Sequence, residues 1–153
     1  MDYRVDVPEG RRQADGRFRE WMFDDALGAE RAVRDARHRT AAMLRCWNCP
    51  QEQVDDIVLV VSEVVTNAVQ HGAGVVRLRL LRQHTNVRIE VQDDSPRPPV
   101  LLTTPSTTAD WGRGLRIVGG LAAHWGTHRA GSGKLVWAEV PCGTDLGIDD
   151  PAG

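Results

Sequence analysis

The sequence predicts an α+β fold in two layers, with helices covering one face of a mixed, mostly antiparallel sheet. Three observations predict it. Strand-like runs cluster instead of alternating regularly with helices. Two long helical patterns lie side by side ahead of the main strands. The 153 residues are 41% apolar and 26% charged, which suits one globular domain with a real core.

Residues 1–16, with Gly10 and Gly16 flanking "RRQAD", read as a flexible N-terminal arm ahead of a domain over 17–142. "FREWMFDD" contains a strand-like stretch at Trp21, Met22 and Phe23. A helix is expected over 27–46, because Ala32, Val33, Ala36, Thr40, Met43 and Leu44 fall on one side. "NCPQEQ" breaks that pattern, and Pro50 suits a loop or a helix start. A second helix is expected over 51–71, with Gly72 as its stop.

"VVRLRLL" places Val76, Leu78 and Leu80 on one face, and "NVRIEVQD" places Val87, Ile89 and Val91 on one face. Both fit half-buried strands, paired as a hairpin through "RQHTN". "SPRPPVLLTTPSTTAD" shows no periodicity, and so long an irregular segment in a small domain points to function or disorder. In "WGRGLRIVGGLAAHWG", Leu115, Val118, Leu121, Ala122 and Trp125 have helical spacing, with Gly112 and Gly114 at the entrance. "KLVWAEVP" reads as a last strand, and 143–153 as a loose tail.

Composition excludes several classes. A net charge of -2 and a pI near 6.2 give no general electrostatic reason to bind nucleic acid or an anionic membrane. No run of eighteen apolar residues exists, and the polar N-terminus lacks an apolar signal core. A cytoplasmic protein is expected. Of the three cysteines, Cys46 and Cys49 in "CWNCP" have redox or zinc-ligand spacing. No second pair supplies the remaining zinc ligands, and no strand precedes the motif as in a thioredoxin-type unit. They read as two thiols in the connection between helices.

Chemistry enters with "VVSEVVTNAVQHG". At about 100° per residue, Val54, Ile57, Val58, Val61, Val64, Val65 and Ala68 form one apolar stripe. Glu63 and Asn67 fall opposite it, adjacent by their four-residue spacing. A solvated helix face is the simplest reading, although Leu59 and Val60 flank the pair. The alternative is a metal-phosphate site: an asparagine oxygen is a hard neutral ligand for Mg²⁺, and a glutamate can take a proton from a hydroxyl. Asp93 in "VQDDSP" is either an ordinary turn residue or a buried acceptor for the exocyclic amine of adenine. Gly112 and Gly114 are either loop glycines or a point where phosphate approaches a helix N-terminus. Arg113 and Arg116 are either phosphate contacts or surface arginines.

Taken in order, "SEVVTNAVQHG", "VQDDSP" and "GRGLRIV" resemble the N, G1 and G2 boxes of the GHKL ATPases. The "TNAVQHG" ending and "GKLVWAEVP" are most similar to the anti-sigma-factor serine/threonine kinases and the small ATP-binding regulators of actinobacteria. The resemblance covers residues 21–141. It implies the Bergerat ATP-binding fold, with ATP and Mg²⁺ as cofactors. It implies that Asn67 binds Mg²⁺, that Glu63 is the general base, and that Asp93 binds the adenine amino group. It implies that Gly112, Arg113, Gly114 and Leu115 lie at the phosphates and lid hinge, with 95–111 as the ATP lid. It further implies a sigma factor and a STAS-type anti-anti-sigma protein as partners, and a homodimer.

Two departures stand out. The G1 pattern D-x-G-x-G is replaced by Asp93-Asp94-Ser95-Pro96-Arg97, without either glycine. The place where the family often carries a threonine supporting the adenine site falls on Leu135, which implies loss of that polar contact. The lost glycines motivate an alternative, a degenerate switch module acting by protein contact without kinase activity. A histidine-kinase catalytic domain is disfavoured, because no helix pair with a phosphoacceptor histidine is evident. His71 reads as a cap-region residue, and His124 and His128 as structural or exposed.

Overall fold

A computed structural model describes residues 17–23, 28–71, 74–96 and 116–143. The elements are β1 (Phe18–Phe23), α1 (Ala29–Cys46), α2 (Gln51–His71), β2 (Val76–Arg82), β3 (Asn86–Asp93), a short helix α3 (116–121), β4 (His124–Ala130) and β5 (Gly133–Pro141). The strands form one sheet in the order β1-β2-β3-β5-β4. The sheet expected to be mixed is antiparallel in all four described pairings.

Alternation sets the core. Leu78 pairs with Val91 and Val91 with Val136; Leu80 pairs with Ile89 and Ile89 with Ala138; Val87 pairs with Val140. These side chains point to one face and are buried together with Val54, Ile57, Val61 and Val65 of α2. Val60 is fully buried as well, so the apolar stripe of α2 is wider than its spacing implied. α1 lies against α2 through Ala32, Ala36, Thr40 and Leu44, which recur every four residues on one face.

α1 ends where Asn48 takes a left-handed conformation (φ 57°), which asparagine tolerates better than most residues. Cys49 then donates its N–H to the Leu44 carbonyl. The Pro50 carbonyl accepts from Gln53 and Val54, so the proline opens α2, where its missing N–H costs nothing. Gly143 donates to the Gln53 side chain, which sets the start of α2 beside the end of β5. Gly74, just past α2, lies against the Asp94 side chain, just past β3. The C-terminal half of α2 therefore runs toward the end of the sheet that carries Asp93.

Two expectations are corrected. The helix traced as far as Trp125 stops at residue 121, and Trp125 belongs to β4. Gly119 and Gly120 weaken helix there, while the edge of β5 supplies a ladder that His124–Ala130 completes. Of the two cysteines expected as thiols in the helix connection, only one is a thiol. Cys49 joins Cys142 in a disulfide, with Cα atoms 5.6 Å apart, and Cys46 is exposed and free. The short spacing drew attention to Cys46 and Cys49 together, while the fold brings Cys142 to Cys49 across 93 residues. The arm, the segment 97–111 of the expected lid and the tail from 144 lie outside the described residues.

Candidate functional site

Asp93 is the last residue of β3. The alternation that buries Val87, Ile89 and Val91 carries it onto the helix-facing side, where it is 2% exposed. Its Oδ1 accepts the Ser95 N–H at 2.7 Å, an Asx turn that folds the chain back. The turn weighed in the sequence is present, and the carboxylate that makes it is buried. Burial pushes the carboxyl pKa up from its ordinary value. The Ser95 N–H and the Lys134 charge pull it back, and Asp94 adds to the rise.

Lys134 is the residue that the sequence did not single out. It pairs directly with Asp93 across β3 and β5, and it is 4% exposed. Its Nζ lies 3.7 Å from Asp93 Oδ2, ion-pair range but longer than a hydrogen bond. Leu135, the position assigned to the missing polar contact, pairs instead with Gln92 and His128, and so points to the opposite face. The polar neighbour of Asp93 is present after all, one residue earlier and cationic. The signal was available in the alternation of Lys134 with Val136, Ala138 and Val140.

Gly133 makes this approach of strands feasible. A Cβ there would overlap the Asp93 carbonyl oxygen and stand 2.9 Å from both the Asp93 carbonyl carbon and Asp94 Cα. Only glycine fits at that spot.

On α2, Asn67 is 7% exposed between buried Val64 and Ala68, and Glu63 is half-buried one turn earlier. Among the described residues no hydrogen bond holds the Asn67 carboxamide. The neighbouring hydroxyl of Thr66 is engaged with the Ser62 carbonyl at 2.6 Å. A rise of 1.5 Å per residue puts Asn67 about 21 Å along the axis from Gln53, toward the Asp93 end. The fold thus directs α2 and Asp93 to one end of the sandwich without bonding Glu63, Asn67 and Asp93 to each other. Gly112, Arg113, Gly114 and Leu115 lie outside the described residues, and Arg116, which begins α3, is exposed.

The donor set fits a magnesium nucleotide. A buried carboxylate with acceptor capacity beyond its Ser95 bond can take an amine N–H. Asn67 offers one hard oxygen, and Mg²⁺ fills its remaining positions with water and phosphate oxygens. Among the described residues no group of three or more His, Cys, Asp or Glu is placed to hold a metal by itself. No helix of the described residues is long and apolar enough to cross a membrane.

A family model described as a histidine kinase-like ATPase domain matches residues 28–140. The chain is 35% identical over 99 residues to blue-light-activated histidine kinase 2 of Erythrobacter litoralis, covering 60% of this chain and 29% of the relative. A solved blue-light activated histidine kinase from Erythrobacter litoralis superposes with a TM-score of 0.52 at 27% identity, over 74% of this chain and 42% of that one. The RsbU and RsbW domains of a Mycobacterium tuberculosis protein superpose with a TM-score of 0.59 at 21% identity, over 82% of this chain and 32% of that one, a likeness of fold. The chain spans under a third of the length of the curated relative it matches. With the family match extending from the start of α1 to the end of β5, the chain belongs to the histidine kinase-like ATPase domains of the GHKL superfamily.

Proposed function

We propose that the protein binds Mg-ATP and acts as an anti-sigma factor with serine/threonine kinase activity toward a STAS-type anti-anti-sigma protein. The observation that carries the nucleotide part is the buried Asp93 carboxylate, held at the helix-facing end of β3. The order of the three boxes in the sequence and the fold shared with an RsbW domain support the kinase part.

In this reading Asp93 accepts from the adenine amino group, and Asn67 would hold Mg²⁺, whose charge would offset that of the phosphates. Glu63 takes the proton of the partner's serine or threonine hydroxyl as that oxygen bonds to the γ-phosphorus. The bond from the γ-phosphorus to the β,γ-bridging oxygen breaks, and ADP leaves. The resemblance of the "GRGLRIV" box assigns Gly112, Arg113, Gly114 and Leu115 to the phosphates, an assignment that belongs to this proposal. The partner, the sigma factor, cytoplasmic residence and a homodimer belong to the same proposal.

Incubating the protein and a candidate STAS partner with γ-labelled ATP and Mg²⁺ tests it. Label is expected on the partner. Glu63→Gln is expected to keep ATP binding and lose about 10²- to 10⁴-fold in transfer rate. Absence of transfer beside tight sigma-factor binding would overturn the kinase. It would favour a switch that acts by contact alone, the reading that the missing G1 glycines motivate.

A further inference from the structure

We infer that Lys134 is a specificity-determining residue of the nucleotide site, reading the base directly by donating a hydrogen bond to N1 of adenine while Asp93 accepts from the amino group. This deepens the nucleotide reading above and rests on it.

The pair is built for one edge of a base. Asp93 and Lys134 face each other in register on β3 and β5, on the side toward α2. The carboxylate accepts and the ammonium donates, 3.7 Å apart. Adenine presents a donor, its amino group, beside an acceptor, N1. The donor meets Asp93 and the acceptor meets Lys134. An ammonium carries three N–H donors and a carboxylate oxygen more than one lone pair, so the ion pair leaves both groups with capacity for the base. Oδ1 is fixed by Ser95, which leaves Oδ2, the oxygen nearer the lysine, as the one to meet the amine.

The alternation of β5 explains why the lysine reaches the site. Val136, Ala138 and Val140 pack in the core on the same face, and Lys134 continues that face to the strand's end. Gly133 beside it allows the β3 backbone close enough for the two side chains to meet. A buried lysine is rare unless paired, and here its partner is the residue assigned to the base.

The same dyad matches guanine in the reverse sense, with the ammonium on O6 and the carboxylate on the N1–H. Assignment to adenine is therefore open to a direct comparison. Calorimetry of the full chain with Mg²⁺ and ATP, 1-deaza-ATP or GTP makes it. The deaza analogue keeps the amino group and replaces N1 by C–H. Wild type is expected to bind ATP at least about tenfold more tightly than 1-deaza-ATP, the worth of a charged hydrogen bond. Lys134→Met is expected to bind both analogues alike. The comparison within wild type needs no variant, so the inference stays testable if Lys134→Met fails to fold. Equal binding of ATP and 1-deaza-ATP by wild type overturns the role of Lys134 and leaves the ATP site standing. Preference for GTP overturns the adenine assignment. No binding of any nucleotide overturns the underlying reading as well.

Discussion

Asp93 combines a charge with near-complete burial, and that combination has a thermodynamic sign. Burial raises its pKa above the ordinary 3.8. The native chain thus holds this proton at pH values where the unfolded chain has released it. The stability tied to the protonated carboxyl is whole below the unfolded value and is lost as pH rises through the folded one. Asp93→Asn keeps an oxygen for the Ser95 N–H and removes the titration. Relative to wild type, the variant should gain stability as pH climbs from about 4 toward 7, while losing ATP binding. Urea midpoints for both proteins across that span measure it; a difference that stays flat with pH would count against the raised pKa. Asp93 was legible in the sequence because a motif and a strand end coincide there. Lys134 was not, because its meaning depends on which residue of β5 stands opposite Asp93, and a one-residue slip in register exchanges the faces of a strand. Reading Leu135 for Lys134 was such a slip.

Elements were legible in proportion to how regular their apolar pattern is. α2 and β3 were placed with their observed bounds, since valine and isoleucine repeat there at helical and strand periods. β4 was not, because "HWGTHRA" carries little alternation and Trp125 happens to continue the helical spacing of the residues before it. An edge strand takes its stability from its neighbour's ladder more than from its own side chains. The same logic makes Gly133 a sensitive point at the β3–β5 junction. Gly133→Ala would drive a methyl into the Asp93 backbone, and backbone does not yield as a flexible side chain does. We expect a loss of about 1–3 kcal/mol in stability, with ATP affinity falling as well because Asp93 is displaced. Chemical denaturation and calorimetry on the same preparation test this. Wild-type affinity together with wild-type stability would show that the strands can part without consequence.

At the scale of the whole molecule, two layers leave one face of the sheet without helices among the described residues, and the sequence fills it with charge. Glu20 of β1 meets Arg79 of β2, Arg79 meets Glu90 of β3, and Arg88 joins Glu90 to Glu139 of β5. This ladder crosses four strands. Its charges keep the open face wetted, and its alternation with the core residues enforces register. Arg88 is its centre: it is 4% exposed, it bonds Glu90 at 3.1 Å and Glu139 at 3.0 Å, and its guanidinium carbon sits 4.4 Å from the centre of the Trp137 ring. Exposed ion pairs contribute about 0–1 kcal/mol, whereas removing one member of a buried pair costs about 3–5 kcal/mol. Arg88 is buried and its carboxylate partners are partly exposed, which places Arg88→Met between those limits, at about 2–3 kcal/mol. Most of that cost is the charge stranded on Glu139, since Glu90 keeps Arg79 at 3.9 Å. Adding Glu139→Gln to Arg88→Met should therefore restore part of the stability, as read from urea midpoints, because the second change removes a carboxylate that no longer has its cation. If the double variant is no more stable than Arg88→Met, the loss lies in packing against Trp137, and the ladder acts through contact more than through charge.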